Sequence, residues 1–158
     1  MNYDNIIYNA AISKGLTSYL AALMVAQAKL ETALYTSKTF KENNNAFGYK
    51  RYKGSIYQSG SGRISTEGDA YASYSSLKNS ALEVAAWIKR RYKNYQNITT
   101  PSEYAAQLKK DGYFGGSVSN YIKILEKYFS KIRLKNTLSF AAFALVSIAL
   151  IIGINKIK

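Results

Sequence analysis

The chain contains no histidine and no cysteine, which leaves nine acidic residues, with tyrosine, lysine and serine, to do any hydrolytic chemistry. Imidazole acid–base catalysis, Ser-His-Asp triads, thiol nucleophiles and thiolate metal sites are excluded together. The acids are Asp4, Glu31, Glu42, Glu67, Asp69, Glu83, Glu103, Asp111 and Glu126. Most have an ordinary structural reason. Asp4 falls in the first turn of a helix, where the dipole favours negative charge. Glu83 and Glu103 complete capping boxes opened by Ser80 and Thr100. Asp111 precedes the Gly112 turn, Glu126 lies between Lys123 and Lys127 on a helix surface, and Glu42 is in a polar, lysine-containing segment. Two sites are left: Glu31 in "VAQAKLETALYTSKT", and Glu67 with Asp69 in "STEGDAY".

Wound at about 100° per residue, Leu20, Leu23, Met24, Gln27, Leu30, Glu31 and Leu34 share one stripe. On position alone, the plainer reading of Glu31 is an edge residue reaching water or a lysine. The chemical reading is a carboxyl whose apolar setting raises its pKa, as a general acid requires. Glu67 and Asp69 would be its solvated counterparts. Two carboxyls facing across a cleft are the usual equipment for cleaving a glycosidic bond. No cofactor and no metal is implied.

The surrounding pattern is mostly helical. A first helix is predicted over Tyr3–Ser13 with Gly15 as its stop, and a second from a Thr17 or Ser18 cap to about Tyr35. "TSKTFKENNN" reads as a short helix followed by turn residues. From Ala46 to Tyr74, five glycines punctuate short Tyr/Ile segments, which predicts a small β-hairpin region with a loose "QSGSGR" tip. Helices return with "ALEVAAWIKRRY", "TPSE" with Pro101 in its first position, and "SVSNYIKILEKYFSKI". The fold class is therefore α+β, mainly α, with a small sheet as a separate lobe and a cleft between the lobes as the natural site. Trp87 and Ile88 are expected in the core. Tyr49, Tyr52, Tyr57, Tyr71 and Tyr74 are expected to line the β-lobe, where rings can stack on sugar faces.

From Thr137 to Ile154 the run "TLSFAAFALVSIALIIGI" carries no charge and is flanked by Lys131, Arg133, Lys135, Lys156 and Lys158. That is about the length that crosses a bilayer core. The expected organisation is a domain over 1–135 and a C-terminal transmembrane helix, an anchor, over 136–158. The first fifteen residues lack the basic and apolar regions of a signal peptide. Net charge is +13, which suits a polyanionic partner such as nucleic acid, anionic lipid or an acidic wall polymer.

Resemblance narrows these options. "AQAKLETALYTSKTFKENNNAFGYK", Ala26–Lys50, resembles the signature of the bacterial peptidoglycan endo-β-N-acetylglucosaminidases, glycoside hydrolase family 73. Those enzymes carry A-Q-A-x-L-E-[ST]-x-W-G-x-S, then a lysine-bearing helix and N-N-x-F-G-x-K. "STEGDAYASYSSLKNSALEVAAWI" and "YAAQLKKDGYFGGSVSNYIKILEKYF" resemble later family segments in the same order, so the likeness spans about residues 16–130. It departs at Ala33, Leu34 and Tyr35, where members have a small residue, Trp and Gly, and at 115–119, which replaces the A-x-D-P loop.

The resemblance implies a lysozyme-like fold and a peptidoglycan glycan substrate. Glu31 matches the catalytic acid, Glu67 the β-lobe carboxylate, and Tyr113 the tyrosine near the acid. Gln27, Asn45, Phe47, Tyr49, Tyr71 and Tyr121 are the expected substrate contacts, and Asn44, Asn45, Phe47 and Gly48 the turn shaping the cleft floor. Water, the substrate N-acetyl group or a sugar hydroxyl could complete the reaction, the last as in lytic transglycosylases. The rivals are a non-catalytic wall-binding module, and nucleic-acid binding by the basic, aromatic "YKRYKGSIYQSGSGR"; the latter leaves Glu31 and the apolar run unexplained, so no nucleic-acid partner is expected. The implied location is a membrane, in a bacterial envelope or a membrane-containing phage virion; small size and AT-rich composition favour the phage. The full chain is expected to enter the detergent-rich phase in a detergent phase separation; recovery from the aqueous phase would remove the anchor.

Overall fold

The computed structural model describes residues 2–132. Helix α1 (Tyr3–Ser13) begins where the Asn2 side chain accepts from the Asn5 N–H, and ends at Gly15 with a φ of +79°. Helix α2 (Ser18–Glu31) starts at Thr17, whose hydroxyl accepts from the Leu20 N–H. Every residue from Leu20 to Ala28 is buried, so α2 is the central rod of the core and not an amphipathic helix with one apolar stripe. Around it stand α1, which packs on both α2 and α4 (Leu77–Arg91), then α5 (Pro101–Lys110) and a last helix over 118–132, α6. Helix α5 contributes Tyr104, Ala105 and Leu108 to the core. Helix α6 contributes Tyr121, Leu125 and Phe129, one per turn, and Phe129 meets Tyr19 at a ring distance of 4.8 Å.

Contrary to the expected end near Tyr35, α2 stops at Glu31. Ala33, Leu34 and Tyr35 turn left-handed with φ of +47°, +60° and +68°. For residues with a Cβ this conformation costs about 1–2 kcal/mol each. The compensation is visible. The buried Thr32 hydroxyl donates to the Ala28 carbonyl at 2.5 Å and accepts from the Tyr35 N–H at 2.8 Å. The Thr32 carbonyl accepts from Thr36 and Ser37, both at 2.9 Å. The Tyr35 ring packs on Tyr3 and Phe40, and its hydroxyl donates to Asp4 at 2.8 Å. Asp4 also pairs with Lys29 at 2.6 Å, so it joins both sides of the turn as well as serving the α1 dipole. Leu34, expected on the apolar stripe, is 54% exposed.

After the short helix α3 (Lys38–Asn43), capped by Ser37, comes an antiparallel hairpin of β1 (Gly60–Ile64) and β2 (Ala70–Ser73). Gly60 faces Ser73, Ser61 faces Ala72 and Ile64 faces Ala70, with a bulge between Ser61 and Ile64. Most of the "QSGSGR" expected at the tip forms β1, and the tip is Ser65–Asp69. The reason is a close approach: a Cβ on Gly62 would lie 1.9 Å from Asn43 Nδ2. That glycine lets the strand lie flush against α3 and does not mark a loop.

The capping-box expectation holds for α5, where Thr100 and Glu103 satisfy each other's backbone N–H with Pro101 inside the first turn. It fails for α4. That helix starts one turn earlier, at Leu77, with Ser76 as its cap. Ser80 is buried and accepts from the Ala46 N–H at 3.2 Å. Glu83, 3% exposed, accepts from Ser55 Oγ at 2.5 Å, Gln58 Nε2 at 3.1 Å and the Tyr74 hydroxyl. It holds the 51–59 loop and β2 to the helical body.

Among the described residues no helix is long and apolar enough to cross a membrane; the run 137–154 and the 136–158 anchor expected from it lie outside them. Glu83→Ala would strand the buried Tyr74 hydroxyl and the half-buried Ser55 and Gln58 donors, and is expected to lower unfolding free energy by about 3 kcal/mol, measured by urea denaturation. Glu83→Gln should cost less.

Candidate functional site

A cleft of about 770 Å³ lies between the end of α2, the hairpin tip and the turn after α5, and Glu31, Glu67, Asp69, Tyr71 and Tyr113 all line it. The left-handed turn ends the buried helix abruptly, so its last side chain faces the cleft while its backbone stays in the core. Burial pushes the Glu31 carboxyl up from 4.5 to about 7, against a smaller opposing effect of the hydrogen bond from Tyr121. That bond runs from Tyr121 Oη to Glu31 Oε1 at 2.9 Å. Behind it, Tyr104 Oη donates to Gln27 Oε1 at 2.6 Å, and Gln27 is wholly buried. Gln27 also favours the ionised form of Tyr121, although burial and the charge of Glu31 push that phenol up overall. Burial, followed by the Glu31 charge, likewise raises Tyr104 and Tyr113. All three phenols therefore stay protonated beside the acid.

The expected site residues separate into two groups. Glu31, Glu67, Tyr49, Tyr71 and Tyr113 line the cleft with side chains at least partly exposed. Asn45 and Phe47 also line it, at 1% exposed each, whereas Gln27 and Tyr121, at 0% and 8% exposed, stand behind it. Phe47 fills the core beneath the cleft, and its carbonyl accepts from the Tyr113 hydroxyl. Asn45 is also buried. Its Nδ2 donates to the Tyr49 and Ala72 carbonyls at 2.8 and 2.9 Å, and its Oδ1 accepts from the Phe47 and Tyr49 N–H groups. It therefore ties the cleft floor to β2, as a turn organiser would. Tyr113 and Tyr49 stand 6.0 Å apart, and each lies near Trp87.

Glu67 sits in the hairpin turn, 77% exposed at its side chain, with Lys50 Nζ 3.3 Å away. The same ammonium lies 4.6 Å from the Tyr71 ring centroid. Asp69 also lines the cleft. Tyr74 is removed from the lobe surface, buried against Glu83, while Tyr52 and Tyr57 belong to the 51–59 loop and do not line the cleft.

Three cleft residues had other readings in the sequence. Trp87 was expected in the core, but is half-buried and lines the cleft; helical periodicity cannot separate a core ring from a cleft-wall ring. Lys50 stood as a family-pattern position and as part of the basic, aromatic stretch "YKRYKGSIYQSGSGR". Asp111 was read as a helix-end residue, and it does follow α5, but it also borders the cleft and pairs with Arg91 at 2.7 Å. Burial raises the Asp111 carboxyl, yet hydrogen bonds from Arg91 and Gln107 and the Arg91 charge leave it below the usual range.

A family model described as mannosyl-glycoprotein endo-beta-N-acetylglucosaminidase matches residues 9–134. No curated protein matches the chain at a significant level. Among solved structures, a peptidoglycan hydrolase from Sphingomonas sp. A1 superposes with a TM-score of 0.63 at 22% identity, covering 85% of this chain and 88% of that one. The glycoside hydrolase domain of FlgJ from Salmonella typhimurium superposes with a TM-score of 0.61 at 20% identity, covering 93% and 99%. The catalytic domain of the autolysin Auto from Listeria monocytogenes gives 0.57 at 23% identity, covering 84% and 81%. At these identities the likeness establishes the fold.

Because folding raises Glu31 from 4.5 to about 7, its contribution to stability is fully present below 4.5 and is lost as pH rises through 7. Glu31→Gln, which stays neutral, is expected to become more stable than the parent over that interval, by urea denaturation at stepped pH. Tyr121→Phe removes the only lowering influence, so the Glu31 carboxyl should titrate above 7 in a carbon-detected NMR titration.

Proposed function

As a member of the glucosaminidase family across residues 9–134, the chain is a glycoside hydrolase, and we propose that it cleaves β-1,4 glycosidic bonds of the murein glycan strand with Glu31 as general acid. One observation carries the assignment of the acid: a single carboxyl lining the cleft is held up to about 7 by burial. Such a group keeps a proton near neutrality and can give it to a glycosidic oxygen. The choice of substrate rests on the family and on the fold shared with a peptidoglycan hydrolase and an autolysin.

In this reading the strand lies along the cleft with a glycosidic oxygen at Glu31. Proton transfer from the carboxyl breaks the C–O bond and leaves an oxocarbenium-like sugar. Tyr121, donating to Oε1, holds one oxygen so that the proton resides on the other, and it stabilises the carboxylate left after transfer. Gln27 and Tyr104 position Tyr121 from the core. Tyr49, Tyr71, Tyr113 and Trp87 provide rings for the sugar faces. Glu67, exposed at the hairpin tip beside Lys50, activates the water that attacks the cation. The alternative completion is intramolecular attack by a sugar hydroxyl, giving an anhydro product through Glu31 alone. We further assign residues 137–154 as the anchor of a 1–135 domain, in a bacterial envelope or a phage virion membrane; their uncharged sequence supports this.

Glu31→Gln is expected to lose about a thousandfold or more of murein-lysing activity, with its circular dichroism and murein binding retained. Undiminished lysis would overturn the assignment, and equal binding by an inactive parent would make the chain a wall-binding module. Mass spectrometry of released muropeptides should show reducing N-acetylglucosamine ends; anhydro ends would transfer the reaction to the transglycosylase route.

A further inference from the structure

A second surface is built by the C-terminal ends of α1 and α4 with the 51–59 loop. Lys14 caps α1, and its Nζ lies 5.2 Å from the Tyr57 ring centroid. Lys89 belongs to the last turn of α4, and a Cβ built on Gly15 would lie 3.3 Å from its Nζ. Burial and then the neighbouring Glu83 carboxylate raise the Tyr52 phenol, and the nearby Arg90 charge opposes them. Lys53 and Lys93 extend the same two segments and are exposed. The described ion pairs involve Lys29, Lys50, Arg63 and Arg91, so none of these five cations is neutralised by one. Among the described residues, the carboxylate bonded to the loop is Glu83, which is 3% exposed and engaged by Ser55, Gln58, Tyr74 and Tyr52.

At the loop's apex Ile56 is 86% exposed, the highest value among the large hydrophobic residues described, and Tyr52 is 43% exposed. An isolated exposed isoleucine needs no explanation. One raised among a tyrosine, a cation-covered tyrosine and unpaired lysines is the composition of an interfacial contact. There the apolar tip enters the acyl boundary, the phenol stays at headgroup level, and the cations meet lipid phosphates. A soluble polyanion would match the charges, but it would leave the isoleucine in water.

We infer that this face docks on an anionic lipid bilayer, with Ile56 as the inserted tip and Lys14, Lys53, Lys89, Arg90 and Lys93 as the headgroup contacts. The docking is separate from the cleft and does not depend on the proposed substrate or acid.

The chain has no cysteine, so Ile56→Cys gives one labelling site, and the exposure of Ile56 keeps that change clear of the core. An environment-sensitive fluorophore there, in the full chain with vesicles of phosphatidylglycerol and phosphatidylcholine, should brighten and shift to the blue. It should do neither with phosphatidylcholine alone, nor from a control label at Lys38, beside the turn that packs on the opposite end of α1. Replacing Lys14, Lys89 and Arg90 together by Gln should weaken docking about a hundredfold, read from the vesicle concentration at half-maximal shift, and raising salt should reverse it. Equal emission with anionic and neutral vesicles, an equal response at position 38, or a shift that survives the triple substitution would overturn the inference. So would the same shift from soluble poly(glycerol phosphate) without vesicles, which would assign the face to an anionic polymer.

Discussion

A helix enclosed by protein on every side can hold a carboxylate only where its enclosure ends. Helix α2 is such a helix: from Leu20 to Ala28 every residue is buried, and Glu31 is its final residue. Much of the molecule serves to place that end. Helices α1, α4, α5 and α6 supply the enclosure, and the left-handed turn at Ala33–Tyr35 stops the rod where the cleft begins. Had α2 continued to Tyr35, Glu31 would be a mid-helix residue with further turns of chain over it. The conformational energy spent in three left-handed residues is offset by Thr32 bonding and by Tyr35 held to Asp4. Strain of this kind is often found beside functional groups.

Glu83 is more deeply buried than Glu31, and the contrast between the two explains what each can do. Glu83 accepts from Ser55, Gln58 and Tyr74, so both its oxygens are engaged and it acts as a structural tie. Glu31 accepts one side-chain bond, from Tyr121, and faces a cleft. With one donor and an apolar setting, burial dominates at Glu31 and raises its carboxyl. The number of donors that the fold delivers distinguishes the two carboxylates.

The hairpin lobe depends on equally few contacts. Asn45 bonds to Tyr49 and Ala72, Glu83 holds the 51–59 loop and Tyr74, and Gly62 lets β1 lie against Asn43. A two-stranded sheet has little independent stability, so these ties set where Glu67 and Tyr71 stand relative to Glu31. The 51–59 loop, whose residues do not line the cleft, meets the ends of α1 and α4.

From its sequence alone, the chain's helix starts near Tyr3, at Thr17 and at Thr100, its glycine stops, its α+β order and the candidacy of Glu31 could be read, because each rests on local hydrogen bonding or on composition. The absence of histidine and cysteine settled which chemistries were open before any fold was known. Other features could not be read locally. The Ser80–Glu83 spacing fits a capping box, but an earlier cap at Ser76 lengthens α4 and buries Glu83. Periodicity put Leu34 inside and Trp87 in the core, whereas the turn exposes the first and the lobe leaves the second on the cleft wall. Of the expected contacts, Phe47 borders the cleft although 1% exposed, while Gln27 and Tyr121 are buried and do not line it. Only the tertiary structure decided these points, because side-chain exposure and donor supply depend on what packs from distant parts of the chain. Tyr121 reaches Glu31 across ninety residues, a proximity that no local spacing encodes.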